Sequence, residues 1–376
     1  MSYKIEVIGL GAGDMDQLPL GVYKKLTNTN HDTFVRTVDH PVIRSLAKEG
    51  LTFKSFDSYY EEEDQFEDVY TNIVQTLLRQ AKEGPVLYAV PGHPMLAEQT
   101  VQYLLEQDTV QVDIVGGHSY LDDLFTALKI DPIDGFQFID ATDFKRSELN
   151  YEQHNVFCQV YDRLIASEVK LALLEDLPAH YEVTIVEAAG TSHEKIKVVP
   201  LHELDHTLDV NNLTSVYIPP VPKDLLNHTF SRLREIVGTL RGPNGCDWDK
   251  QQTHETLRTY LIEEAYELID AIDHQDDEGI VEELGDVLLQ VMLHSQIGEE
   301  SGYFSIEDVI KGITEKMIRR HPHVFSHAHV DSIDDINQNW EMIKREEKGE
   351  QRTSLLDGIP KSLPSLSKSY SMQKKA

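Results

Sequence analysis

The sequence predicts two domains of different class, an α/β domain over residues 1–222 and an all-α helical bundle over 223–360. Three observations predict this. Short apolar strands alternate with helix-patterned segments through the first half, as in a mainly parallel sheet. The run Pro219-Pro220-Val221-Pro222 then stops strand and helix alike. Beyond it the periodicity is helical throughout.

In order, Lys4–Gly9 alternates as a strand and enters the glycine-rich turn Gly9-Leu10-Gly11-Ala12-Gly13-Asp14. Such a turn lets a ligand approach the backbone, and it also serves tight strand-to-helix packing. Thr33–Val38 reads as a strand, Pro41–Lys48 as a helix, and Glu61–Glu83 as one long helix with an acidic start. Pro85–Val90 is a buried strand running into Pro91-Gly92-His93-Pro94. Pro94–Gln107 reads as a helix, and Val110–Val115 as a strand ending in Gly116-Gly117-His118-Ser119. These loops fall at carboxyl ends of strands, where open α/β sheets bind ligands. His93 is a candidate base, although a loop histidine is more often a local hydrogen-bonding group. Val156–Tyr161, Val169–Leu174, Tyr181–Ala188, Ile196–Val199 and Val216–Ile218 read as strands of a second subdomain richer in antiparallel pairing.

The helical half reads as Phe230–Leu240, a break at Arg241–Gly245, then helices near 253–274, 278–300, 305–320 and 332–348, with Thr253 as a cap. Two of them carry acids spaced three apart: Glu264 and Glu267, then Glu283 and Asp286. That spacing puts each pair on one helical face. Glu264 interrupts the stripe Leu257, Leu261, Ala265, Leu268, Ile272. Glu283 borders the stripe Ile280, Leu284, Val287, Leu288, Val291. A carboxylate facing a core is costly unless paired or metal-bound, so the helical phase argues for a metal site. Four hard oxygen donors suit Mg²⁺ or Mn²⁺. The bland alternative is a solvated acidic face. A di-iron centre is disfavoured, because that design uses Glu-x-x-His pairs and the helical half has none.

Composition narrows the function classes. An apolar fraction of 40% in 376 residues supplies ordinary cores, and the net charge of −31 opposes contact with nucleic-acid phosphates. Two cysteines, Cys158 and Cys246, make no disulfide framework and fit a reducing cytoplasm. The first apolar run is too short for a signal peptide, and none approaches membrane-spanning length. Neither nucleic acid nor a membrane is an expected partner.

The acid pairs and their flanks resemble the MazG-type nucleoside triphosphate pyrophosphohydrolases over about residues 230–360. The match runs through Gly245-Cys-Asp-Trp248, Glu263-Glu264-Ala-Tyr-Glu267, Glu282-Glu283-Leu-Gly-Asp286, Arg319-Arg320-His321-Pro-His323 and Asn339-Trp340-Glu-Met-Ile-Lys344. The resemblance implies hydrolysis of a nucleoside triphosphate to monophosphate and pyrophosphate by a homodimer. Metal would sit on Glu264, Glu267, Glu283 and Asp286, with Glu263 to position or deprotonate water. Arg319, Arg320 and Lys344 would meet phosphates, and Trp340, less so Trp248, a base. Otherwise Arg319 and Arg320 are a charge pair at a helix C-terminus, Trp340 a packing anchor and Glu263 a surface acid. His294 reads as a supporting or core hydrogen-bonding residue. Residues 361–376 resemble a connector that leads, in relatives, to a further MazG-like unit.

The three glycine-bearing loops of the first half resemble the tetrapyrrole (corrin/porphyrin) methylases over roughly 1–222. The opening loop carries Ala12 where that family has proline, the second carries His93 where it has an acid, and the third carries Gly116 for proline. The resemblance implies a cleft for S-adenosylmethionine near Gly11, Gly92, His93 and Ser119. One alternative makes the chain chiefly a methyltransferase with the bundle as dimerisation or sensor module. Another makes it a binding protein with both sites inactive.

Overall fold

The structure is a computed structural model that describes residues 4–29, 31–63, 65–206, 213–326, 332, 335–336, 339–340, 342–343, 347, 359–360 and 363–375. It divides into two compact units, Met1–Thr229 and Phe230–Ala376.

The first unit holds two five-stranded sheets. The first sheet has strands β1 (Lys4–Gly9), β2 (Thr33–Val35), β3 (Lys54–Ser55), β4 (Val86–Val90) and β5 (Gln111–Gly116), in the order β3-β2-β4-β1-β5. All its pairings are parallel. Every residue of β4 is buried, as expected of a strand covered on both faces. Val86, Tyr88 and Val90 pack with Ile73 and Leu77 on one side, and Leu87 and Ala89 with Ile43 and Leu46 on the other. The covering helices are α1 (Leu20–Asn28), α2 (Pro41–Lys48), α3 (Asp57–Glu62), α4 (Phe66–Ala81) and α5 (Gln99–Glu106). Because β1 pairs directly with β4, the loops that follow them leave the sheet side by side.

Two helix boundaries differ from expectation. The predicted helix Glu61–Glu83 is broken, because the chain turns extended at Glu63. Consecutive acids there oppose the negative end of the α3 dipole. The helix expected from Pro94 starts only at Gln99, since Ala97 is left-handed at φ 53°.

After α6 (Tyr120–Leu128), the second sheet contains β6 (Phe136–Asp140), β7 (His154–Cys158), β8 (Glu182–Glu187), β9 (Lys195–Pro200) and β10 (Thr214–Ile218), in the order β6-β7-β10-β8-β9. Only β6–β7 is parallel; the other three pairings are antiparallel. Val169–Leu174, expected as a strand, belongs to helix α7 (Arg163–Leu174). Asp162 caps it by accepting from Ile165 N, and Ile165, Ala166, Val169 and Leu173 form a helical stripe in the core. The short apolar run concealed that longer period.

The second unit contains α8 (Phe230–Arg241), α9 (Asp247–Gln251), α10 (Leu257–His274), α11 (Asp277–Glu300), α12 (Ile306–Arg320), α13 (Pro322–Phe325) and a helix at Ser365–Lys375. The helix expected at 332–348 lies mostly outside the described residues. Thr253 does not cap α10; its hydroxyl accepts from Thr256 N in the turn before it. Gln275, left-handed at φ 56°, ends α10, and Asp276 opens α11 by accepting from Gly279 N. The core is small: Val237, Leu257, Met292, Leu293, Ile297 and Ile306, concentrated on the second half of α11. Arg241 of α8 grips Glu300 with two hydrogen bonds of 2.9 and 2.8 Å.

Among the described residues, only the ends of the expected apolar stripes, Leu257 and Val291, reach a core; the stretch between them does not. Leu261, Ala265, Ile272, Leu284 and Leu288 are exposed, and Leu268 is half-buried. α10 and the first half of α11 pack along each other, but no described element covers their outer faces. Among the described residues, no helix is long and apolar enough to cross a membrane.

Candidate active sites

In the helical unit the tight α10–α11 turn brings two acid pairs face to face. One oxygen from each of Glu264, Glu267 and Glu283 lies within 4.8 Å of the others. Asp286 falls outside that group, yet its charge acts on both Glu264 and Glu283. Glu264, Glu283 and Asp286 are half-buried, whereas Glu263 and Glu267 are exposed. Desolvation raises the Glu264 carboxyl above the usual carboxylate range, and Asp286, Glu267 and Glu283 add to the rise. Glu283 is raised by desolvation, then by Glu267, Asp286 and Glu282. Glu283 Oε2 is buried without a hydrogen-bond partner. A buried lone pair with no donor, among carboxylates that repel one another, suits a bound cation.

The expected phosphate contacts are engaged otherwise. Arg319 and Arg320 each reach Glu347 at 2.6 Å, on opposite oxygens. The two guanidinium groups hold Glu347 at about 2. An incoming phosphate must displace that carboxylate. Lys344 lies outside the described residues. Trp340 is half-exposed on the helical unit, and Trp248 meets Tyr260 edge-on at 5.7 Å. His294, read as a supporting residue, bonds His254 Nδ1 to Nδ1 at 2.8 Å.

In the first unit a cleft of about 500 Å³ opens where the loops after β1 and β4 approach the second sheet. Gly11 and Gly92 exchange backbone hydrogen bonds of 3.1 and 2.8 Å. Both have positive φ, 74° and 65°, so a side chain at either would be strained. Gly92 and His93 line the cleft. His93 Nδ1 accepts from Met95 N, the local bonding role. Ser119 is not a lining residue; its hydroxyl caps α6 by accepting from Leu121 N, and the neighbouring Tyr120 lines the cleft instead.

Sequence reasoning missed several lining residues. His40 donates from Nε2 to Gly11 O at 2.9 Å while its Nδ1 accepts from Val42 N, and burial lowers its pKa. Glu98, 5% exposed, pairs with Arg36, whose Nε donates to Tyr60 at 2.9 Å. Burial pushes Glu98 up to about 7, with Arg36 pulling the other way. Three lining residues, Ala97, Gln159 and Ala188, are non-glycines with φ of 53°, 59° and 48°. Strain of that kind collects at ligand sites, and no residue type in the sequence announces it.

Comparison with known proteins matches each unit to a family. Residues 4–205 match the Tetrapyrrole (Corrin/Porphyrin) Methylases, and residues 252–325 match the MazG nucleotide pyrophosphohydrolase domain. The protein named Uncharacterized protein YabN, of Bacillus subtilis (strain 168), is 56% identical, and the alignment covers 100% of this chain and 77% of that protein. The chain belongs to the tetrapyrrole methylase family, in its YabN-like form with a MazG domain behind. The Nucleoside triphosphate pyrophosphohydrolase/pyrophosphatase MazG of Thermotoga maritima is 51% identical to this YabN-like chain over 147 residues, which is 39% of this chain and 56% of that relative. The chain thus spans little more than half the length of that relative. Uroporphyrin-III-C-methyltransferase from Thermus thermophilus superposes at a TM-score of 0.46 with 16% identity, covering 58% of this chain and 94% of that structure.

Proposed function

We propose that the helical domain hydrolyses nucleoside triphosphates to monophosphate and pyrophosphate with a divalent metal, and that the N-terminal domain binds S-adenosylmethionine. On this reading the domains are 1–222 and 223–360, with 361–376 as connector. The observation that carries the first part is the meeting of Glu264, Glu267 and Glu283 oxygens within 4.8 Å beside the orphaned Glu283 Oε2. The relatives named as nucleoside triphosphate pyrophosphohydrolases support the substrate class. These three acids and Asp286 would hold Mg²⁺ or Mn²⁺. When bound, such an ion neutralises phosphate charge and makes its coordinated water more acidic.

The chain's own residues supply the rest. Water oxygen attacks the α-phosphorus, the bond from that phosphorus to the α–β bridging oxygen breaks, and pyrophosphate leaves with the electron pair. Glu263, exposed beside the acid set, takes the water's proton. Arg319 and Arg320 exchange Glu347 for phosphate oxygens, Lys344 adds a further cation, and Trp340 offers a ring to the base. The exposed faces of α10 and α11, with Leu261, Ile262, Tyr266 and Ile269, support a homodimer. Two free cysteines, Cys158 and Cys246, are in keeping with the cytoplasm.

For the N-terminal domain the fit rests on the cleft. Its volume of about 500 Å³ lies in the range of small-molecule sites, and the glycine backbones beside it admit close approach. Gly11, Gly92 and His93 would contact the cofactor, with Ser119 holding the neighbouring helix start. S-adenosylmethionine, when bound, supplies an electrophilic methyl group.

Incubating metal-free protein with nucleoside triphosphates, with and without Mg²⁺, tests the hydrolase by chromatography. Monophosphate plus pyrophosphate, formed only with metal, is expected. Diphosphate plus phosphate would assign another bond and refute the reading. Calorimetry with S-adenosylhomocysteine tests the cleft, and absence of heat at millimolar ligand would refute it.

A further inference from the structure

A second cavity, of about 580 Å³, adjoins the cleft in the first unit and shares Ala97, Glu98 and Gln159 with it. Its wall has an aromatic and an acidic character. Phe66 is 69% exposed, yet its ring lies stacked on Tyr70, with centroids 6.3 Å apart and planes 20° from parallel. Tyr103 stands beside them. An exposed ring backed by a half-buried, near-parallel one is a shelf on which a flat molecule can stack.

The charges are all of one sign. Glu67, Glu98 and Asp140 line the cavity, and none of its described lining residues is Lys, Arg or His. Tyr103 donates to Glu67 at 2.9 Å and Gln159 to Asp140 at 2.7 Å, so neutral donors orient both carboxylates. Glu98 is answered from behind by Arg36. The wall therefore repels a carboxylate-bearing ligand and attracts a cation, and an electron-rich ring face does the same. Ala97 and Gln159, left-handed without being glycine, form the shared rim. Backbone strain persists where surrounding structure holds it, and here it is held at the opening between the two cavities.

We propose that this cavity is a second ligand subsite of the N-terminal domain and takes a flat, cationic nitrogen heterocycle or aryl amine rather than a polycarboxylate. It rests on reading the neighbouring cleft as the site of S-adenosylmethionine, for which the bound molecule would be a companion. The exclusion is the sharper half. A ring bearing several carboxylates would set its charges against Glu67 and Asp140 with no basic side chain in the described wall to answer them.

Calorimetry on the full chain tests it with three probes of one shape: N-methylquinolinium, quinoline and quinoline-2-carboxylate. S-adenosylhomocysteine is titrated separately. The expected order is quinolinium, quinoline, carboxylate, with at least about tenfold between first and last. Phe66→Ala and Glu67→Gln alter exposed side chains, and each should weaken quinolinium about fivefold while leaving S-adenosylhomocysteine binding unchanged. Equal affinity for cation and anion, or no effect of Phe66→Ala, overturns the proposal even if S-adenosylhomocysteine binds. Quinolinium binding that depends on Phe66, without any S-adenosylhomocysteine binding, upholds the subsite and refutes the cleft reading instead.

Discussion

His254 and His294 face each other Nδ1 to Nδ1 at 2.8 Å, with their rings 11° from parallel and Phe304 stacked on the outer side of His254. One Nδ1 must carry the proton and the other must lack it, so the pair cannot be doubly protonated without losing its bond. Burial, and then His254, hold His294 below the usual histidine range. The unfolded chain takes up that proton near pH 6.5, before the folded chain does. Below this pH the unfolded state binds more protons, so stability falls as pH falls. Both tryptophans, Trp248 and Trp340, lie in the helical unit, and their fluorescence reports its unfolding alone. The urea midpoint should drop between pH 7.5 and 5.5, and drop less in His294→Gln. An equal drop in both proteins would clear this pair of the effect.

Glu264→Gln and Glu283→Gln each remove a charge from the acid set and keep its shape. Turnover should fall by about 10²–10³, the usual cost of losing one preorganised electrostatic contact. Because desolvation, and then crowding among these acids, raises both carboxyls, the same variants should melt no lower than wild type in metal-free buffer. Full turnover in Glu264→Gln would show that the acids are not the site.

Metal should stabilise the helical unit measurably. At a Mg²⁺ or Mn²⁺ concentration about a hundred times its dissociation constant, linkage gives about 2.7 kcal/mol. The tryptophan-detected midpoint should rise with metal, return on chelation, and respond less in Glu283→Gln. Identical responses of the two proteins would place any bound ion elsewhere.

Leu261, Ile262, Tyr266, Ile269, Ile272 and Leu284 are each more than a third exposed, a large apolar area for one helix pair. Light scattering should give about twice the subunit mass of 42.9 kDa at micromolar protein. Leu261→Glu combined with Ile269→Glu should shift the mass toward the monomer. A wild-type mass of 42.9 kDa independent of concentration would refute dimerisation.

Gly117 packs against Gly9 so closely that a Cβ on it would stand 2.6 Å from Gly9 Cα. Gly117→Ala should therefore cost about 1–3 kcal/mol by forcing the loops after β1 and β5 apart. It should also weaken S-adenosylhomocysteine binding. A variant with unchanged melting and binding would show that these loops give way freely.

Much of this was written in the sequence. The acid pairs stood out because Glu264 breaks an apolar stripe, and hairpin geometry then brings Glu264, Glu267 and Glu283 together. The ends of β1, β4 and β5 were legible from alternation and glycine, whereas β2 stops at Val35 rather than Val38 and the two-residue β3 was not read at all. Long-range side-chain partners were not. Nothing near Glu98 signals that Arg36, 62 residues earlier, would meet it. The approach of Glu347 to Arg319 and Arg320 is equally silent, since charge patterning is informative only within a few residues along a helix. The apolar stripes misled because periodicity identifies the face to be covered without naming what covers it. Val169–Leu174 misled because six residues are too few to separate the two periods.

The acid set lies on two helices joined at Gln275 and Asp276, so all its members come from one stretch, Glu264 to Asp286. The first sheet is the opposite case: Ile5 must find Val86 or Val112, far along the chain, before β1 has any neighbour. Folding speed follows such sequence separation. A helical hairpin zips in microseconds, whereas a parallel sheet waits on the closure of long loops. During refolding the tryptophan signal of the helical unit should recover well ahead of tyrosine signals from the sheets. Divalent ions added at the start of refolding should accelerate only the first of these phases.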